Sequence, residues 1–211
     1  GLHGGAILSP HKLERPALLR LEQSGYWWQH RFKGEVRIGG RIAVLASLTV
    51  GGKAVTFVSV HFESHTDPAH RAEMMENMID SIDAYDKDTP VIIGGDLNTC
   101  TTGFDLSRGA QKSAKEDLIA ANPDRLSNPI PYEPLFEIAA SRGYDWNSCN
   151  LMGATTTRTR PDGTPRPPHK KIDWFFTRGL TSFSPEIIPA VDKNGQAISD
   201  HELLLVTIEV E

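Results

Sequence analysis

Asp96 and Asn98 stand two residues apart, directly after two glycines and the apolar run Val91-Ile92-Ile93. Alternate residues of an extended segment point the same way, so the two side chains can aim oxygens at one ion. Glycines let the backbone approach another group closely. Oxygen ligands suit Mg²⁺, Mn²⁺ or Ca²⁺ rather than zinc. The same residue types also make ordinary turns.

Three further groups carry chemistry. Ser199-Asp200-His201 precedes an apolar run, where an Asp-His pair can bind a metal and activate water, or simply cap and solvate. Asp173 lies between Ile172 and Trp174 on a strand-like stretch. Such a carboxylate is costly to bury unpaired, so it needs a histidine or a cation such as Lys170 or Lys171. His61 ends an apolar run, a place where a histidine is more often a satisfied core residue. Met74, Met75, Met78, Ile79 and Ile82 repeat at helical spacing and read as core, not as ligands.

The elements that must hold these residues follow from pattern. Arg41–Val50 and Ala54–His61 are β-rich and flank the hairpin signal Gly51-Gly52-Lys53. Asp67-Pro68 opens a helix over Ala69–Tyr85. Val91–Ile93 suits a strand buried on both faces. Residues 100–134 form a long polar excursion with a short helix near Ala114–Ala121. Leu135–Arg142 predicts a second helix stopped by Gly143. Thr155–Thr159 predicts an edge strand, Lys171–Thr177 an inner strand, and Ser184–Val191 and Leu203–Val210 two more. Strands interspersed with helices imply a layered α/β sandwich.

The 211 residues bound a single domain over residues 1–211, and 39% hydrophobic residues are enough for a core. Net charge is −5, which argues against a non-specific grip on long nucleic acid and favours a small phosphorylated molecule or a lipid head group. Cys100 and Cys149 are too few for a disulfide framework. They pair if the protein is exported and stay free in a reducing compartment. No run is apolar enough for a membrane span, and no signal peptide is visible. A monomer is expected.

The order of the chemical groups is the strongest signal. VSVHFES, IIGGDLNT, KIDWFFTRG and SDHELLLVTIEV follow one another along the chain. In these strings and this order the chain resembles the endonuclease/exonuclease/phosphatase superfamily, whose fold is deoxyribonuclease I-like. The resemblance implies a four-layer α/β sandwich of two packed sheets flanked by helices. It also implies hydrolysis of a phosphate ester by in-line attack of water, with Mg²⁺ (or Mn²⁺ or Ca²⁺) as cofactor. His201 would be the general base or hold the phosphate, and Asp173 would fix its tautomer. Asp96 would orient the water, and Asp96, Asn98 and Asp200 would bind the ion. Arg41, His61 and Asn98 would meet the substrate.

The resemblance has departures. Thr99 follows the GDxN element where inositol-polyphosphate phosphatases carry Arg, and Ile172-Asp173-Trp174 replaces their Cys-Asp-Arg. The Trp-rich loop of apurinic-site endonucleases is replaced here by Pro, Arg and Thr. Gly5-Ala6-Ile7-Leu8-Ser9 resembles the family's ILS strand, yet the preceding strand with an Asn and the segment with a metal-binding Glu are not among these residues. An N-terminally incomplete copy is therefore expected, and Glu14, Glu22 and Glu35 are not candidates for that Glu. The loop from Arg158 to Lys171 is basic and leads into Asp173, so it is expected either to charge the cleft rim or to be a solvated loop. Glu63, His65 and Arg71 follow His61 closely and receive no individual roles. Two other readings remain: a non-catalytic binding module on the same fold, and a sphingomyelinase-like lipid phosphodiesterase with Trp27-Trp28 as its exposed aromatic pair.

Overall fold

The computed structural model describes residues 4–21, 41–64, 66–100, 117 and 119–210. Trp27-Trp28, Glu22, Glu35 and His65 lie outside them. Among the described residues, five strands form one sheet in the order β1 (Glu14–Leu21), β2 (Arg41–Val50), β3 (Lys53–His61), β4 (Val91–Asp96) and β5 (Asp173–Arg178). Neighbours are antiparallel except β3 and β4, which run parallel. Parallel neighbours need a crossover, and helix α1 (Pro68–Asp86) supplies it. A second, two-stranded antiparallel sheet pairs β6 (Thr181–Ile188) with β7 (Leu203–Glu209).

Burial explains the layers. The α1 stripe of Met74, Met75, Met78, Ile79 and Ile82 is fully buried and joins Val58, Val60, Ile93, Trp174 and Phe176 in one core. Each such side chain removed from water is worth roughly 1.5–3 kcal/mol. Asp67 caps α1 by accepting from the His70 backbone N–H at 2.9 Å. A short helix α2 (Leu135–Ser141) packs beside α1, and Gly143 follows it at φ 81°. The opposite face of the five-stranded sheet meets the second sheet across a cavity of about 410 Å³, lined by Ile7, Phe57, Ile92, Phe175, Leu204 and Val206. Three layers of the expected sandwich thus lie among the described residues: helices, large sheet, small sheet.

Several boundaries differ from the sequence expectation for identifiable reasons. Strand β1 carries Pro16, a bulge between Glu14 and Ala17, and Arg15 at φ 49°, and these interruptions hide its alternation. Gly5–Ser9 was expected as a strand, but it joins neither sheet. Ala6, Ile7 and Leu8 instead line the space between the sheets. Thr155–Thr159 is not a strand; Thr156 and Thr159 make isolated bridges only. Of the short helix expected near Ala114–Ala121, Asp117 and residues 119–121 are helical and the rest lies outside the described residues. Cys100 and Cys149 are both buried free thiols, and burial pushes their pKa values up to about 11 and about 12.

Gly94 and Gly95 fix the approach of β4 to its neighbours. A Cβ on Gly95 would lie 1.8 Å from the Val60 carbonyl oxygen, and its φ of 154° already disfavours a side chain. A Cβ on Gly94 would meet the Phe175 ring at 2.7 Å. A ring edge can shift and a paired strand backbone cannot. Gly95→Ala is therefore expected to cost about 3 kcal/mol or more, and Gly94→Ala less, as read from urea unfolding midpoints.

Candidate active site

One rung of the large sheet carries three of the candidate residues. His61 at the end of β3 pairs with Asp96 at the end of β4, and Asp96 pairs with Asp173 at the start of β5. Residues opposite one another on adjacent strands share a face, so all three side chains project together. By alternation they share the side of Phe57, Ile92 and Phe175, which faces the second sheet. His61 Nε2 lies 3.4 Å from Asp96 Oδ2.

Past the strand end, the chain turns sharply. Asn98 adopts φ 51°, a left-handed conformation that Asn tolerates better than most residues. Its backbone N–H donates to Asp96 Oδ1 at 2.8 Å, and its side-chain amide donates to the Phe62 carbonyl at 3.0 Å. The local GDxN sequence is thus a turn rather than the extended segment expected, and Asn98 does not follow the strand alternation. The turn immobilises the Asp96 carboxylate.

His201 reaches the rung from the second sheet. Its Nδ1 lies 3.0 Å from each oxygen of Asp173. The Thr155 hydroxyl donates to Asp173 Oδ2 at 2.5 Å and accepts from the Ile172 and Asp173 backbone N–H groups, both at 3.2 Å. Thr155–Thr157 is bound on both sides. It takes backbone bonds from or to Lys170 and His169 on one flank, and Asp200 and Glu202 on the other. Residues 155–157 thereby tie the stretch that carries His201, immediately before β7, to the chain leading into β5, and bring His201 up to Asp173. Thr155 was missed from the sequence; the only signal was three consecutive β-branched hydroxyl residues, Thr155-Thr156-Thr157.

The charges follow from this packing. Burial, then the neighbouring Asp173 carboxylate, push Asp96 up to about 7, against the Asn98 backbone bond and the charges of His201 and Arg41. The hydrogen bond to Asp173 pushes His201 up to about 9, helped by the Asp173, Asp96 and Asp200 charges and opposed by partial burial. Asp96, Asp173 and His201 present ligand atoms all within 4.8 Å of one another. His201 and Arg41 offset the two crowded carboxylates only in part, and a hard divalent cation fits the carboxylate oxygens.

The remaining candidates are placed as follows. Asn98 is buried beside Asp96. Arg41 opens β2 at the same sheet end, close enough for its charge to act on Asp96. Asp200 is exposed and outside the Asp96–Asp173–His201 group, although its charge still acts on His201. The basic loop divides. Arg158, Arg160 and Arg166 are exposed, whereas Lys171 is fully buried with Nζ 4.5 Å over the Trp174 ring. Lys171 therefore does not charge the rim; burial lowers its pKa to about 8.

These shifts carry a pH dependence. His201 has a folded pKa of about 9, above its ordinary 6.5. The Asp173–His201 pair therefore stabilises the metal-free fold fully below about pH 6.5, and that contribution is lost as pH rises through about 9. An NMR titration should find the His201 imidazole titrating near 9. In Asp173→Asn it should fall to the ordinary histidine value or below.

Comparison with known proteins follows the same lines. No curated protein sequence matches the chain significantly. Solved structures with the same fold include an endonuclease/exonuclease/phosphatase from Bacteroides vulgatus, at 20% identity and TM-score 0.55, covering 95% of this chain and 67% of that one. The mannosyl-6-phosphatase Bt3783 of Bacteroides thetaiotaomicron gives 14% identity, TM-score 0.57 and coverage of 94% and 67%. D. rerio TDP2, complexed with a single-strand DNA product, gives 16% identity, TM-score 0.53 and coverage of 94% and 68%. The chain thus spans about two thirds of the length of these neighbours. A family profile, that of the Endonuclease/Exonuclease/phosphatase family, matches residues 1–201. Its members are phosphoric ester hydrolases that generally use divalent metals. The chain belongs to the endonuclease/exonuclease/phosphatase family.

Proposed function

We propose that this chain is a metal-dependent phosphoesterase that hydrolyses a phosphodiester or a phosphorylated small molecule by in-line attack of water. The observation that carries this reading is the meeting of Asp96, Asp173 and His201 within one 4.8 Å group, with His61 on the same rung. A net charge of −5 favours small phosphorylated substrates over long nucleic acid.

The residues divide the work. Asp173 fixes the imidazole of His201 through Nδ1, so Nε2 is the nitrogen left to face the substrate. A His201 pKa of about 9 keeps the ring charged at neutral pH, which suits holding a phosphoryl oxygen. Removing a proton from water requires the neutral ring, and nearby positive charge favours that form. Asp96, locked by the Asn98 backbone N–H, orients the attacking water. His61 donates to a phosphoryl oxygen from the other side of Asp96. Mg²⁺ or Mn²⁺ would be held by Asp96 with Asn98 beside it, and Asp200, outside the Asp96–Asp173–His201 group, would join by turning toward Asp96. When bound, it supplies charge stabilisation for the phosphoryl oxygens and leaving group.

Hydrolysis of bis-p-nitrophenyl phosphate should require Mg²⁺ or Mn²⁺ and stop with EDTA. His201→Ala should lower kcat by about 10²–10⁴, the usual range for a positioned acid–base group. A folded His201→Ala protein with unchanged activity contradicts the proposal.

A further inference from the structure

The loop after β3 holds a buried carboxylate to which the site so far gives no task. Glu63 is 1% exposed, two residues beyond His61. A carboxylate that deep is tolerated only when paired, and Arg41 is the cation that pairs with it. Arg41 Nε donates to Glu63 Oε2 at 3.1 Å, and Arg41 Nη2 donates to Oε1 at 3.3 Å. This two-point fork is available to Arg and not to Lys.

The fork leaves one side of the guanidinium uncommitted. Nη1 makes no hydrogen bond among the described residues. The Arg41 side chain keeps 18% exposure although its partner is buried. Its location is also specific. Ala43 pairs with Val60, so Arg41 stands beside the chain just past His61, at the sheet end that carries Asp96 and Asp173.

The loop that carries Glu63 is pinned at both ends. The Phe62 backbone N–H donates to the Asp96 carbonyl at 2.8 Å. At the other end, the Thr66 carbonyl accepts from Arg71 Nη1 at 3.2 Å. Arg71 is itself locked by Glu133 through bonds of 2.9 and 2.6 Å, with both side chains fully buried. Glu63 is therefore a rigid support rather than a mobile surface acid.

We propose that Glu63 is a positioning residue that grips Arg41 by its Nε–Nη2 edge so that Nη1 is presented to a phosphoryl oxygen of the substrate. This rests on the phosphoesterase reading and adds to it a fixed monodentate arginine contact. A guanidinium held in place loses less freedom on binding than a free one, so the effect falls on ground-state binding.

The test compares wild type, Glu63→Gln, Arg41→Ala and the double variant, using bis-p-nitrophenyl phosphate turnover and competitive inhibition by inorganic phosphate. Glu63→Gln should raise KM and the phosphate inhibition constant about tenfold while kcat changes less than about threefold, as for loss of one charge-assisted contact. In the Arg41→Ala background, Glu63→Gln should add nothing further, because it acts through Arg41. Unchanged KM and phosphate inhibition in folded Glu63→Gln, or full additivity in the double variant, overturns the proposal. If Glu63→Gln does not fold, Arg41→Lys keeps the charge without the fork and should give the same tenfold rise; wild-type constants there overturn it. If wild type hydrolyses nothing, the phosphoesterase reading fails on its own, and calorimetry with inorganic phosphate decides this one. Binding weakened by Glu63→Gln retains it, and no binding to wild type refutes it.

Discussion

The Asp173 carboxylate joins the two halves of the molecule. It belongs to the large sheet, yet both its oxygens look across to chain that leads into the small one. Thr155 donates to Oδ2 at 2.5 Å and His201 Nδ1 lies 3.0 Å from each oxygen. Without that bond, His201 would be a half-exposed residue at the mouth of β7. With it, the imidazole is held over the rung of His61 and Asp96. The sheet register and this one carboxylate together set the geometry of the site.

Crowding is the second constraint. Asp96 and Asp173 stand opposite one another on paired strands, and both are largely shielded from water. Burial first, and then the like charge of Asp173, raise Asp96 to about 7. The protein relieves the strain partly with His201 and Arg41, and a cation would complete the relief. The two carboxylates would hold a cation, while His201 and Arg41 are the positive groups that would meet a phosphoryl oxygen.

Much of this was legible in the sequence, and the limits have physical causes. His61 and Asp96 were readable because an apolar strand ends in each, and Asp173 because a carboxylate stands among apolar residues where a strand opens. The α1 stripe was readable because Met74, Met75, Met78, Ile79 and Ile82 repeat with the helical period. The shared rung was not readable, since register depends on partners distant in the chain. Thr155 was invisible because its hydroxyl acts across 18 residues on Asp173 and nothing local marks it. The buried place of Lys171 fits neither reading of its loop, a rim charge or a solvated stretch, because composition does not say which way a side chain turns. Here Trp174 supplies an inward face for it. Strand β1 was hidden by Pro16 and its bulge.

The most direct test of the rung as the site is a crystal grown with Mn²⁺ and inorganic phosphate, with the metal located by its anomalous signal. The expected result is a peak about 2.0–2.3 Å from an Asp96 oxygen, the range for a hard cation on a carboxylate. Phosphate should lie between His61 and His201 Nε2. A metal peak elsewhere, with Asp96 bound to neither ion nor phosphate, would contradict the assignment.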